Sequence, residues 1–224
     1  METDVLVLYK NKQGTAFFAY SQNGFSWYYI MHKNTTNKNL QRLVNCMFAS
    51  IKVGGQNNTL VFNLRPIFFL IRNIEDEIVW QKSFKLLASG LKDPKNYFKI
   101  TIEFIEYIKN FPLSNYLFQL FSYLLVFQDQ NIVLNVNKCF YCQRTFDLYC
   151  LALNLGSVVC KSCYNKKQHL LTRIIKDIDV LKINDYLINS VGINWKKITD
   201  IKWNEKLLKG VIFLYQEVHS FSFS

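Results

Sequence analysis

Two matched cysteine pairs constrain this chain more than any other feature. Cys139 and Cys142 form one C-x2-C, Cys160 and Cys163 form another, and seventeen residues lie between them. Each pair offers two thiols at a tight knuckle. The intervening loop lets the knuckles converge on one tetrahedral ion at Zn–S distances of about 2.3 Å. The spacing is that of a four-cysteine zinc site; the alternatives are a redox dithiol and buried cysteines without a ligand role. A fifth cysteine of the same stretch, Cys150, reads as a small hydrophobe beneath the loop, with a substitute ligand role as the other reading.

A catalytic zinc keeps an open position and recruits His or carboxylate ligands. Four cysteines fill the coordination shell, and His32, His169 and His219 have no metal-motif spacing. His169 reads as a surface or capping residue. The zinc deaminase signature requires H-x-E and P-C-x-x-C, whereas Lys138 and Val159 precede the two pairs here. The expected cofactor is one structural zinc ion. The sequence has no phosphate-binding loop, dinucleotide fingerprint or nucleophile elbow. The triplet Glu75-Asp76-Glu77 reads as a helix N-terminus in water. The expectation is a protein that is not an enzyme.

Met1 is followed by Glu2 and Asp4, without the basic start of a secretory signal. The most apolar run, Leu113 to Phe127, is broken by Asn115, Gln119 and Ser122. It falls short of the roughly 20 residues that a bilayer core requires. The chain therefore reads as cytoplasmic, where reduced thiols favour metal over disulfide. Half of its residues are hydrophobic and 19% are charged, so a sizeable core is expected.

The net charge of +11 is unevenly spread. Residues 1–72 carry eight Lys/Arg against Glu2 and Asp4; residues 73–138 balance at seven of each sign; residues 139–224 carry twelve against seven. Basic surface at both ends attracts polyanions, chiefly nucleic acid or an anionic membrane, and the plain alternative is solubility charge.

The first third predicts strands at Val5–Tyr9, Thr15–Tyr20, Phe25–Met31, Cys46–Val53 and Thr59–Leu64. Turn signals at "NKQG", Asn23-Gly24 and "GGQNN" separate them. Five short strands suggest an OB-like β-barrel over 1–72. Beyond it the period becomes helical. "EDEIVWQKSFKLLASG" has an acidic first turn and apolar positions at Ile78, Val79, Phe84, Leu87 and Leu91. Asp93 and Pro94 open a second helix with Phe98, Ile102, Ile105 and Ile108 inward, and Pro112 ends it. Ser114 caps a third that is apolar nearly all round and therefore central. The fold class is α+β: the barrel, then a mostly α-helical domain over 73–224 carrying the zinc module at 136–166.

This order of parts resembles the RecO recombination-mediator family. Three stretches carry the likeness: "ETDVLVLYKNKQG" at Glu2–Gly14, "NYLFQLFSYLLVFQDQNIVLNVNKCFYC" leading into the first cysteine pair, and "LLKGVIFLYQEVHSFSFS" at the end. Members of that family carry a strand before the E-[ST]-D, so the resemblance implies a barrel whose first strand is missing or replaced. It also implies a non-enzymatic protein of recombinational DNA repair. Such a protein binds single- and double-stranded DNA, anneals complementary strands and assists recombinase loading. Its implied partners are a RecR-type mediator protein and the C-terminal tail of single-strand-binding protein. The alternative is a zinc-stabilised protein-docking module with little DNA affinity.

An OB barrel binds single strands through a basic groove and stacking aromatics. Lys10, Lys12, Lys33, Lys38, Arg42 and Lys52 are the candidate phosphate contacts, with Phe17, Tyr20, Trp27, Tyr28 and Tyr29 between them. Trp27 and Tyr29 share one strand face and Tyr28 takes the other, so one set is core. Lys161, Lys166, Lys167, Lys196, Lys197, Lys202, Lys206 and Lys209 offer further positive charge past the zinc module.

Overall fold

The computed structural model describes residues 1–31, 43–71, 73–132, 136–176, 187 and 195–222. The chain is α+β and divides into two compact units, Met1–Ser122 and Tyr123–Ser224. The boundary between them falls within the third helix described below.

Five strands open the first unit: β1 (Glu2–Lys10), β2 (Ala16–Ser21), β3 (Gly24–Ile30), β4 (Met47–Gly54) and β5 (Leu60–Phe69). They close in the order β1-β2-β3-β5-β4, with β4 returning to β1. Every pairing is antiparallel except β3 with β5. Glu2–Lys10 pairs with β2 on one side and β4 on the other, so the ring closes without a further strand.

Local chemistry explains the turns. Asn11 Oδ1 accepts from the Thr15 and Ala16 amides, and Gly14 takes a φ of +67°, so "NKQG" reverses the chain as expected. In the next hairpin Ser21 stands opposite Gly24, leaving Gln22 and Asn23 as the loop residues instead of Asn23-Gly24. Gly24 follows the turn with φ +92°, where a Cβ would lie 3.4 Å from Pro94 Cγ. β5 continues five residues beyond the expected Leu64. Pro66 is tolerated because the register shifts between Phe48 and Ala49, a bulge that relieves the ladder of one N–H.

Alternation sends Val5, Val7, Phe17, Ala19, Tyr28, Met47, Ile51 and Leu64 into the barrel core. Leu6 and Leu8, on the other side of β1, are buried as well, and helix α1 (Ile74–Gly90) packs against this strand. Asn73 caps α1, its side chain accepting from the Asp76 amide at 2.8 Å. The buried stripe is Trp80, Ser83, Phe84 and Leu87, while Ile78 is exposed. The acidic triplet forms the first turn of α1 as expected, but it does not lie wholly in water. Glu75 is exposed, but Glu77 accepts from Asn45 and Gln81, and Asp76 accepts from Asn115. These amides hold two of the three carboxylates half-buried, and Asn45 and Asn115 come from positions distant in sequence.

A 3-10 turn, Pro94–Tyr97, leads into α2 (Phe98–Ile108), which buries Thr101, Phe104, Ile105 and Ile108. Helix α3 (Ser114–Asp129) is buried around most of its circumference, as its composition demands. Trp80, Phe84 and Phe118 stack, as do Phe104 and Phe121, to form the helical core of the first unit.

The second unit contains the hairpin β6 (Leu148–Ala152) and β7 (Ser157–Cys160), helix α4 (Lys161–Lys167), the short strand β8 (Ile174–Ile175), and helices α5 (Trp195–Asp200) and α6 (Glu205–Ser222). β6 is the central strand of the order β7-β6-β8. Tyr123 and Phe127 pack on Tyr215 and His219 of α6, and Arg173 pairs with Glu217 at 3.8 Å. No helix among the described residues is long and apolar enough to cross a membrane.

Candidate metal centre and nucleic-acid interface

The cysteine module is a knuckle, a hairpin and the first turn of a helix. The knuckle closes through the Cys139 amide on Arg144 O (2.8 Å) and the Gln143 amide on Cys139 O (2.9 Å), with Gln143 at φ +58°. The Phe140 amide donates to Val158 O at 2.9 Å and ties the knuckle to β7. Cys160 ends β7 and stands at the N-cap of α4; Cys163 follows in the first turn. The helix entry therefore brings the second pair to the first by local geometry.

The four Sγ atoms of Cys139, Cys142, Cys160 and Cys163 lie within 4.8 Å of one another, and Cys142–Cys160 is 3.7 Å. A tetrahedral Zn–S4 site has S–S edges of about 3.8 Å. All four are free thiols. Geometry and donor set fit one zinc ion, which the four sulfurs would hold. When bound, the ion supplies a crosslink between knuckle and helix.

The electrostatics agree. Burial pushes the Cys139 thiol up, but the Cys160, Cys142 and Tyr141 backbones hydrogen-bond to it and hold it down at about 6. Cys163 is pushed up to about 12 by burial and by its neighbouring thiols, Cys160 first. Four thiols this close do not all ionise without a cation among them.

Cys150 stays outside the cluster. It is fully buried opposite Val159, packed with Ala152, Val159 and Leu171, and burial pushes its thiol up to about 11. It packs as the small hydrophobe expected. His169 is exposed in a 3-10 turn and outside the cluster.

On the barrel the structure sorts the candidate aromatics. Phe17 and Tyr28 are core residues. Tyr20 is buried on the outer face, stacked on Phe25 at 4.3 Å and donating its hydroxyl to Pro94 O. Trp27 and Tyr29 remain exposed, at 38% and 50%. Trp27 belongs to a row that sequence reading missed. Tyr9 pairs with Phe18 and Phe18 with Trp27 across β1, β2 and β3, with ring centroids 5.3 and 5.6 Å apart. Phe25 continues the row at 6.0 Å from Phe18. Tyr9 and Phe18 also border a cavity of about 340 Å³ shared with Phe84 and Lys85 of α1.

The candidate cations do not gather on this row. Lys10 Nζ donates to Leu43 O, Lys12 is exposed in the β1–β2 turn, and Lys52 lies on β4, which borders neither β2 nor β3. Lys33, Lys38 and Arg42 lie outside the described residues. Lys161, Lys166 and Lys167 are exposed on α4, as are Lys196, Lys202 and Lys206 further on.

The fold and site together define an α+β protein with a closed five-stranded sheet and a four-cysteine metal-binding cluster. Compared with models of known protein families and with the curated proteins, the chain matches none.

Proposed function

We propose that the protein is a non-enzymatic DNA-binding protein of recombinational repair, of the RecO kind, that holds and anneals single strands. The observation that carries this reading is the row Tyr9–Phe18–Trp27 across β1, β2 and β3, with Tyr9 and Trp27 exposed and Phe18 half-buried between them. Exposed rings at this spacing offer flat surfaces to unstacked bases, worth about 1–3 kcal/mol per base. The ring order β1-β2-β3-β5-β4 with its one parallel pair is compatible with an OB barrel, whose strand 2–3 face takes oligonucleotides. The net charge of +11 supplies the sequence-independent attraction. In this reading duplex DNA, a RecR-type protein and the tail of single-strand-binding protein are the further partners, and zinc serves only to stabilise the second unit.

Annealing needs no catalytic group. Neutralising the charge of two strands held side by side suffices, and each neutralised phosphate releases counterion. The test is the annealing rate of two complementary oligonucleotides with zinc-loaded protein at low and moderate salt. Acceleration that falls steeply with salt is expected. No acceleration at either salt favours the protein-docking reading, for which Ile67 and Phe69 speak by leaving apolar surface open on β5.

A further inference from the structure

We infer that the cysteine module carries a nucleic-acid-binding surface of its own, centred on the knuckle residues Phe140, Arg144 and Phe146, which takes single strands by stacking and charge. The inference deepens the proposed function and rests on it for the class of ligand.

Three observations lead there. The knuckle exposes two large rings, Phe140 at 46% and Phe146 at 67%, although Cys139 beside them is fully buried. A chain that only needed to hold a metal has no use for apolar rings in water. Cations are paired with the module's rings: the Arg144 guanidinium lies 4.9 Å from the Phe146 centroid, and Lys167 Nζ lies 4.3 Å from that of Tyr141, which meets Phe140 edge-on at 5.2 Å. Residues 136–176 carry seven Lys/Arg and one carboxylate, Asp147, a balance of +6. A dication held by four thiolates subtracts about two charges and leaves the module positive.

Flat rings beside cations fit a ligand that is itself flat and anionic. An acidic peptide uses the charges but leaves the rings unexplained, and a duplex hides its base faces. A single strand uses both. The surface shows no feature that selects for or against a ribose 2′-hydroxyl, so the shared chemistry is that of single-stranded DNA and RNA.

The test titrates fluorescein-labelled dT15 and rU15 with zinc-loaded full-length protein, followed by anisotropy across a salt series. Variants are Phe140→Ala with Phe146→Ala, Arg144→Glu, and Trp27→Ala on the barrel, each checked for zinc content. The paired Phe variant is expected to bind about tenfold or more weakly, and Arg144→Glu to flatten the log–log salt slope by about 0.7 or more. Comparison of the two oligonucleotides separates DNA from RNA as the preferred source. Wild-type binding that only Trp27→Ala weakens overturns the inference and leaves the barrel reading standing. Failure of the wild type to bind either oligonucleotide overturns both. Knuckle variants that lose a poly-glutamate peptide but keep the oligonucleotides make the surface a protein dock, which also overturns it. Should the Phe variant lose its zinc, photocrosslinking of wild type to iodouracil-substituted dT15 decides. Adducts on residues 140–146 support the surface, and adducts confined to the barrel overturn it.

Discussion

Tyr9 and Phe18 stand opposite each other on the outer face of β1 and β2 because one extra residue, Leu8, is inserted between Val7 and Tyr9. Regular alternation would send Tyr9 inward with Val5 and Val7. The bulge re-aims it outward, where it begins the exposed aromatic row.

That row separates binding from stability. Tyr9→Ala and Trp27→Ala are each expected to weaken single-strand binding by about 1–3 kcal/mol while changing the unfolding midpoint little. Tyr28→Ala, on the opposite face of the same strand, is expected to cost about 3–5 kcal/mol of stability. Anisotropy and urea denaturation of the three variants check this; equal binding by all three would remove the row from the interface.

The metal centre predicts one zinc per chain, measured by mass spectrometry of the purified protein. Cys160→Ser is expected to lose the ion and melt the hairpin β6–β7, because the knuckle is then tied to α4 by fewer bonds. Cys150→Ala should keep the full complement. Zinc loss in the Cys150 variant would show that ligand exchange occurs within the module.

Cys46 predicts a pH dependence. Burial, reinforced by the nearby Glu77 carboxylate, pushes its thiol from 9.0 up to about 12. The folded value lies above the ordinary one, so its contribution to stability is complete below pH 9 and lost as the pH rises from 9 toward 12. Urea midpoints should fall over that window, and less so in Cys46→Ala. Identical slopes for the two proteins would exclude the thiol as the cause.

Gly24 sits at φ +92°, a conformation that costs a side-chain-bearing residue about 1–2 kcal/mol. Gly24→Ala is expected to lose about that much, its Cβ meeting Pro94 Cγ at an ordinary contact distance of 3.4 Å. Gly14→Ala, with open space around its Cβ, should lose the same backbone part. Denaturant curves of the two variants give the two losses.

Much of this was legible along the chain. The five strands, the three helices that follow them and the four clustered cysteines rest on interactions a few residues long: alternation, turn chemistry, helical period and paired cysteines. These read well because the physics is local. The packing of Cys150 as a small hydrophobe was the first of two readings the sequence offered, and its burial against Val159 and Leu171 accords with it.

What the tertiary structure decided was facing and partnership. No pattern in "VLVLY" announces the bulge at Leu8, because a bulge exists only relative to a paired strand. Tyr20 and Phe18 share a face of β2, yet Pro94 and Phe98 cover the first and leave the second half-open. Asp76 and Glu77 look like surface carboxylates until Asn115 and Asn45, distant in sequence, arrive to bind them. The sequence by itself determined the five strands, the three helices after them and which atoms can hold a metal, since those depend on near neighbours. The β7-β6-β8 sheet of the second unit was not legible in it. Which side chains meet solvent, and so which can meet a ligand, depends on what the rest of the chain places over them.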